Sequence, residues 1–189
     1  MTYVDDYITD LENTLKAVSR SEIQAVVDFL FDALFEDRQV FIIGNGGSAS
    51  TASHMMNDLS KLTIRSGKPR YRAIALTDNM PLITAWGNDV SYDSVFTEPL
   101  RNLMRPADIL VAISTSGNSS NILSAVACAH EEFLGTVIAI TGNQGGVLAD
   151  VADLVVRIPS EHIGHQEDGH LIVNHVVCNA LAERIGELE

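Results

Sequence analysis

Two pairs of side chains in this chain have the types and spacing to act on a small molecule. His54 and Asp58 lie four residues apart in Thr51-Ala52-Ser53-His54-Met55-Met56-Asn57-Asp58, a stretch that reads as helix. That spacing puts them on one face, about one turn apart. Glu167 and His175 lie eight residues apart in the last helical stretch, a little over two turns, and also share a face. His170 falls between them and points elsewhere. If the two helices face one another, His54, Asp58, Glu167 and His175 converge. Two imidazoles and two carboxylates suit Zn²⁺, and also Mn²⁺, Fe²⁺ or Ni²⁺. The plainer readings are an ordinary helix-surface pair at His54 and Asp58, and a His-rich segment comprising His162, His165, His170 and His175.

Two loops have the composition to hold an anion. Gly44-Asn45-Gly46-Gly47-Ser48 follows the apolar run Val40-Phe41-Ile42-Ile43, and Ser114-Thr115-Ser116-Gly117-Asn118-Ser119 follows Ile109-Leu110-Val111-Ala112-Ile113. Each opens a helical stretch. Glycines let backbone approach a ligand, free N–H groups point outward, and the helix dipole adds partial positive charge. Small hydroxyl residues also recur in ordinary turns and caps. Two such loops behind strands imply a small phosphorylated ligand at the C-terminal edge of a parallel sheet. Gly44, Gly46 and Ala49 also fit a dinucleotide fingerprint, but no acidic residue lies between Leu59 and Thr77 to meet a ribose. No Gly-Lys-Ser/Thr follows the loop, which excludes a Walker A phosphate loop.

The elements that must position these residues alternate. Apolar runs predict strands near 39–43, 72–76, 109–113, 136–140 and 154–157. Helical patterns are expected near 48–62, 80–86, 92–103, 119–131, 146–150 and 165–187. This predicts an α/β three-layer sandwich around a five-stranded parallel sheet, in a single domain over 1–189. Ahead of the first strand, 1–36 reads as a helical pair. Ile8, Leu11, Leu15 and Val18 mark the first helix, and Ser21 with Gln24 reads as a capping box for the second. Lying outside the α/β alternation, this pair is expected to serve oligomer formation. Gly87 reads as a helix C-cap, with Asn88 and Asp89 just beyond it.

With 12 basic against 25 acidic residues the net charge is −13, which argues against nucleic-acid binding. Backbone amides and hydroxyls still allow a small phosphate ester. No apolar run is long enough to span a bilayer, and the acidic N-terminus lacks a signal-peptide pattern, so a cytoplasmic location is expected. Cys128 and Cys178, both in apolar helical patterns, read as buried free thiols.

Taken together, these motifs resemble the sugar isomerase (SIS) family, and within it the phosphoheptose isomerases. The resemblance runs nearly the whole length: the N-terminal helices, Gly44–Ser48, His54 with an acid four residues on, Gly87-Asn88-Asp89, Ser114–Ser119, Thr141-Gly142, and the helix bearing Glu167, His170 and His175. It implies a flavodoxin-like sheet in a homotetramer with sites at subunit interfaces. It implies conversion of sedoheptulose 7-phosphate to D-glycero-D-manno-heptose 7-phosphate. Asn45, Gly46, Gly47, Ser48, Asn88, Asp89, Ser114, Thr115, Ser116, Ser119 and Glu167 would contact that substrate. His54, Asp58, Glu167 and His175 match the positions that can carry zinc in the family. Asp58 would be the base and His175 the acid. The chain departs from the family where Asp58 replaces a Glu, Glu167 replaces a Gln, and Gly164 stands at an acidic position. Lys61 or Arg65 is the candidate for a basic residue that the family carries soon after the first acid. The competing expectations are a non-catalytic SIS module that regulates a partner such as a replication initiator, and an isomerase of a different sugar phosphate. A sugar-phosphate sensor normally carries a DNA-binding module, for which this chain has neither room nor charge.

Overall fold

In a computed structural model, residues 2–188 are described. Five strands form one parallel sheet in the order β2-β1-β3-β4-β5: β1 (Gln39–Gly44), β2 (Arg72–Ala75), β3 (Ile109–Ser114), β4 (Thr136–Thr141) and β5 (Leu154–Arg157). All five lie within a residue or so of their sequence expectations. Strand side chains alternate between two apolar layers, as the two-residue period of a pleated strand requires. Val40, Ile42, Ile109, Val111, Ile138 and Ile140 face one layer, and Phe41, Ile43, Leu110, Ala112, Val137 and Ala139 the other. The first layer is closed by α2 (Arg20–Phe35), α3 (Gly47–Lys61) and α8 (Ile163–Gly186). The second is closed chiefly by α5 (Ser94–Leu103), α6 (Ser120–Phe133) and α7 (Gly146–Val151), with α4 (Met80–Asp89) at its edge. The expected three-layer sandwich is the observed one.

Two cap assignments differ from the sequence reading. Ser19, not Ser21, caps α2, its hydroxyl accepting the Glu22 N–H at 3.2 Å. Ser21 lies inside the first turn because α1 (Tyr3–Ala17) ends at Ala17 and the break falls at Val18 and Ser19. Gly87 does not end α4, which continues through Asp89 and closes with the Val90 and Ser91 N–H groups on the Trp86 carbonyl. A glycine one turn from a helix end looks like a cap in sequence, but here the following residues complete the turn.

Strand order has a direct consequence for binding. The chain leaves β1 toward β2 on one side and leaves β3 toward β4 on the other. The adjacent C-terminal ends of β1 and β3 therefore open a crevice, the usual ligand position in such sheets. The two Gly/Ser loops are the ones that line it.

Candidate active site

The β1 loop is built for close backbone approach. Gly46 caps α3 with φ +55° and no side-chain capping bond, which leaves that end of the helix to an incoming acceptor. At Gly44 a Cβ would lie 2.6 Å from the Ser48 backbone, so only glycine lets α3 turn this tightly off the strand. The β3 loop has a similar constraint. Gly117 has φ +62°, and a Cβ there would meet the Gly145 carbonyl oxygen at 1.8 Å. Within the loop, the Ser114 hydroxyl accepts the Gly117 N–H at 3.1 Å, and the Ser116 hydroxyl accepts the Asn118 N–H at 3.2 Å. Ser119 caps α6 and makes no side-chain capping bond. Thr115, Ser116, Asn118, Gln144, Ile163 and Gln166 wall a cavity of about 320 Å³ at this edge.

Asn45 and Asn121 tie the two loops together. Each amide donates to the other's oxygen at 2.9 Å, and the Tyr92 hydroxyl donates to Asn45 Oδ1 at 3.1 Å. Asn121 is buried in the first turn of α6. Spacing identifies neither Asn121 nor Tyr92 as a site residue, because their contacts with Asn45 join positions 76 and 47 residues apart. Asn88 and Asp89 lie exposed at the end of α4, the Asn88 amide donating to Asp89 Oδ1 at 2.8 Å.

The helices α3 and α8 pack on the same sheet face, and their contact brings His54, Asp58 and His175 together. One ligand-type atom from each lies within 4.8 Å of the others. His54 Nε2 is 3.4 Å from Asp58 Oδ2 and 3.2 Å from His175 Nε2. Two Nε2 atoms this close cannot both carry hydrogens that point at one another. A shared proton or a cation between them satisfies both. Two imidazole nitrogens and a carboxylate oxygen converging from facing helices fit a divalent transition metal. Asp58 is nearly buried, with Asn57 donating to Oδ1 at 3.3 Å and Asn174 to Oδ2 at 3.1 Å.

Glu167 stands apart from that trio. Its carboxylate lies across the first turn of α3, where Oε1 would be 2.5 Å from a Cβ at Gly47. The partial positive charge of the helix start favours a carboxylate there. Lys61 and Arg65 line a cavity of about 380 Å³ that also includes Asn57 and Asp58. Arg65 spends one guanidinium nitrogen on the Leu62 and Ile64 carbonyls, at 3.0 and 2.9 Å. The thiols Cys128 and Cys178 are free and buried, as expected.

A family model described as the SIS domain matches residues 3–142, about three quarters of the chain. The chain belongs to the SIS family. It is 36% identical over 167 residues to a phosphoheptose isomerase of Geotalea daltonii, covering 87% of this chain and 84% of that one. It is 34% identical over 185 residues to a phosphoheptose isomerase of Akkermansia muciniphila, covering 97% of both. Among solved structures, the phosphoheptose isomerase GmhA of Neisseria gonorrhoeae superposes with a TM-score of 0.86 at 30% identity, covering 95% of this chain and 97% of that one. The family model covers α3 and ends before α8, whereas the similarity to the Akkermansia muciniphila protein covers 97% of this chain and so spans both helices. Among the described residues, no helix is long and apolar enough to cross a membrane.

Proposed function

We propose that this SIS protein is a phosphoheptose isomerase, interconverting sedoheptulose 7-phosphate and D-glycero-D-manno-heptose 7-phosphate. The observation that carries the reading is the convergence of His54, Asp58 and His175 at the α3–α8 contact. The similarity to curated phosphoheptose isomerases along most of the chain supports it. A purely regulatory SIS module has no need of a nearly buried carboxylate facing two imidazoles.

Ketose–aldose exchange removes a proton from the carbon beside the carbonyl and returns one to the neighbouring carbon. The hydroxyl hydrogen shifts between the two oxygens, so substrate and product share one formula. Asp58 is the base in this reading and His175 the acid. The backbone and hydroxyls of Asn45, Gly46, Gly47, Ser48, Ser114, Thr115, Ser116 and Ser119 hold the phosphate and sugar. That fixes the reacting carbons against Asp58 and supplies the orientation part of the acceleration. Asn88, Asp89 and Glu167 contact the sugar hydroxyls. His54, Asp58 and His175 would hold Zn²⁺. The metal when bound would polarise the carbonyl and stabilise negative charge on the enediolate oxygens. The two oxygens of Asp58 divide its duties: Oδ2 faces His54, and Oδ1 lies on the Asn57 side.

The protein is proposed to act as a cytoplasmic homotetramer. Support for association comes from apolar side chains left at the surface of α1, Tyr3 at 72%, Val4 at 67% and Ile8 at 50% exposure.

Pure, metal-analysed protein incubated with sedoheptulose 7-phosphate and followed by NMR tests the reaction. Aldose formation that falls on chelation and returns with Zn²⁺ is the expected result. Conversion indifferent to chelation removes the metal role but keeps the isomerase, and no conversion by folded, metal-loaded protein overturns the assignment. Asp58→Asn and His175→Gln are each expected to lower turnover by at least 10³-fold, on the order that acid–base groups contribute. Near-normal turnover in either removes that residue's role.

A further inference from the structure

We propose that Asn174 is a positioning residue for Asp58, holding the carboxylate in the one orientation that presents its free lone pair to His54 and His175, and that Cys178 fixes Asn174 in turn. The proposal rests on the isomerase reading above, because it assigns Asp58 a role worth positioning.

Asn174 is wholly buried on α8, a place where an amide needs partners on both sides. Its Nδ2 donates to Asp58 Oδ2 at 3.1 Å, across the α3–α8 contact. Its Oδ1 accepts from Cys178 Sγ at 3.4 Å, one turn further along α8. Hydrogen-bond chemistry allows only this amide orientation. Flipped, Oδ1 would face the carboxylate, an acceptor against an acceptor, and the Cys178 S–H would meet an NH₂ group. Cys178 remains a thiol and therefore a donor, since burial, with a smaller contribution from the Asp58 charge, pushes its pKa up to about 12. The direction of donation thus runs from Cys178 through Asn174 to Asp58.

The oxygen that receives the Asn174 amide is the one facing His54. A carboxylate oxygen has two lone-pair directions. With one taken by a buried amide, the other is left for the imidazole side. The terminal torsion of Asp is otherwise broad, so a lone carboxylate would rotate among many orientations. Asn57 on Oδ1 is exposed and bonds at 3.3 Å, a weaker restraint than the buried partner. Asn174 itself lines neither the serine-loop cavity nor the cavity beside Lys61, so it acts through Asp58 and not on substrate.

The test compares Asn174→Leu, which keeps the volume and removes the donor, with wild type and Asp58→Asn. Partners that orient a ligating or reacting side chain typically matter by 10–100-fold, so kcat should fall by about that factor with KM within about twofold. The Zn²⁺ affinity, read by competition with a chromophoric chelator, should weaken by a similar factor. Cys178→Ser, which keeps a donor toward Asn174, should retain several-fold more kcat than Cys178→Ala. This second pair keeps the test decisive if Asn174→Leu does not fold. An Asn174→Leu protein with lowered Tm but unchanged kcat and metal affinity assigns Asn174 a purely structural role and overturns the proposal. Equal kcat in Cys178→Ser and Cys178→Ala overturns the Cys178 link. An active Asp58→Asn enzyme instead removes the role of Asp58 while keeping the isomerase, and no turnover by folded, metal-loaded wild type overturns the isomerase reading itself, so the failures are distinguishable.

Discussion

His170 should make the folded protein sensitive to mild acid. It lies on α8 with no exposed surface, and neither ring nitrogen has a hydrogen-bond partner. Burial lowers its pKa from 6.5 to about 4, with the Thr141 backbone opposing the shift. In the unfolded chain the same imidazole takes a proton near the ordinary value of about 6.5. Between those two pH values unfolding therefore binds a proton, and stability falls as pH drops through that window. Above the upper value neither state is protonated and the contribution is constant. At about 1.4 kcal/mol per tenfold change in proton affinity, the total loss is about 3 kcal/mol, a large part of an ordinary domain's stability. The perturbation is His170→Met, which fills a similar space with an adaptable apolar side chain. Urea unfolding at fixed protein concentration, followed by circular dichroism across the pH window, gives stability curves for both proteins. Carboxylates common to the two cancel in the difference. The wild type should lose about 3 kcal/mol more than the variant over the window, and at neutral pH the variant should be no less stable, because it removes two unpaired nitrogens. Parallel curves would refute the reasoning, and would mean that the imidazole is not held neutral by its surroundings.

Gly117→Ala combines a left-handed φ with a Cβ 1.8 Å from the Gly145 carbonyl oxygen, so either loop backbone must move. The expected cost is about 3 kcal/mol in chemical unfolding, with KM for the phosphosugar raised about tenfold or more; wild-type values on both measures would sink the steric argument. Tyr71→Phe removes the buried donor that meets the Leu30 carbonyl at 2.8 Å, tying the segment before β2 to α2. It should lower stability by about 1 kcal/mol with kcat unchanged, measured by thermal melting and steady-state kinetics.

The sheet was legible in the sequence because its signal is local. Ile109-Leu110-Val111-Ala112-Ile113 is apolar throughout, and a central parallel strand buried on both faces has that composition. The serine and glycine loops were legible for a related reason: a strand that ends in small polar residues and feeds a helix has few other uses. Spacing placed His54 with Asp58, and it placed Glu167 on a face with His175. It could not say that Glu167, two turns nearer the N-terminus of α8, would reach the start of α3 and leave the trio. That depends on how two helices cross, a tertiary property. Asn174 and Asn121 escaped for the same reason. An asparagine inside a helix looks alike in sequence whether it is solvated or buried, and only the packing of α3 against α8, and of the β1 loop against α6, distinguishes the two. The misplaced cap at Ser21 has a smaller cause, since two serines two residues apart offer equivalent caps and the preceding helix decides between them.

The reciprocal amides of Asn45 and Asn121 constrain how this crevice can change by mutation. Each side chain uses both its donor and its acceptor on the other. Replacing Asn45 leaves both amide atoms of the buried Asn121 without their match, and replacing Asn121 leaves the Asn45 amide nitrogen without its acceptor while Oδ1 keeps the Tyr92 hydroxyl. A compensated pair requires two changes, and the intermediate carries the unpaired amide. Variation in these loops is therefore coupled across the topological break in the sheet. Substrate preference can drift through the surrounding serines and through Glu167 one residue at a time, whereas the Asn45–Asn121 pair must change as a unit.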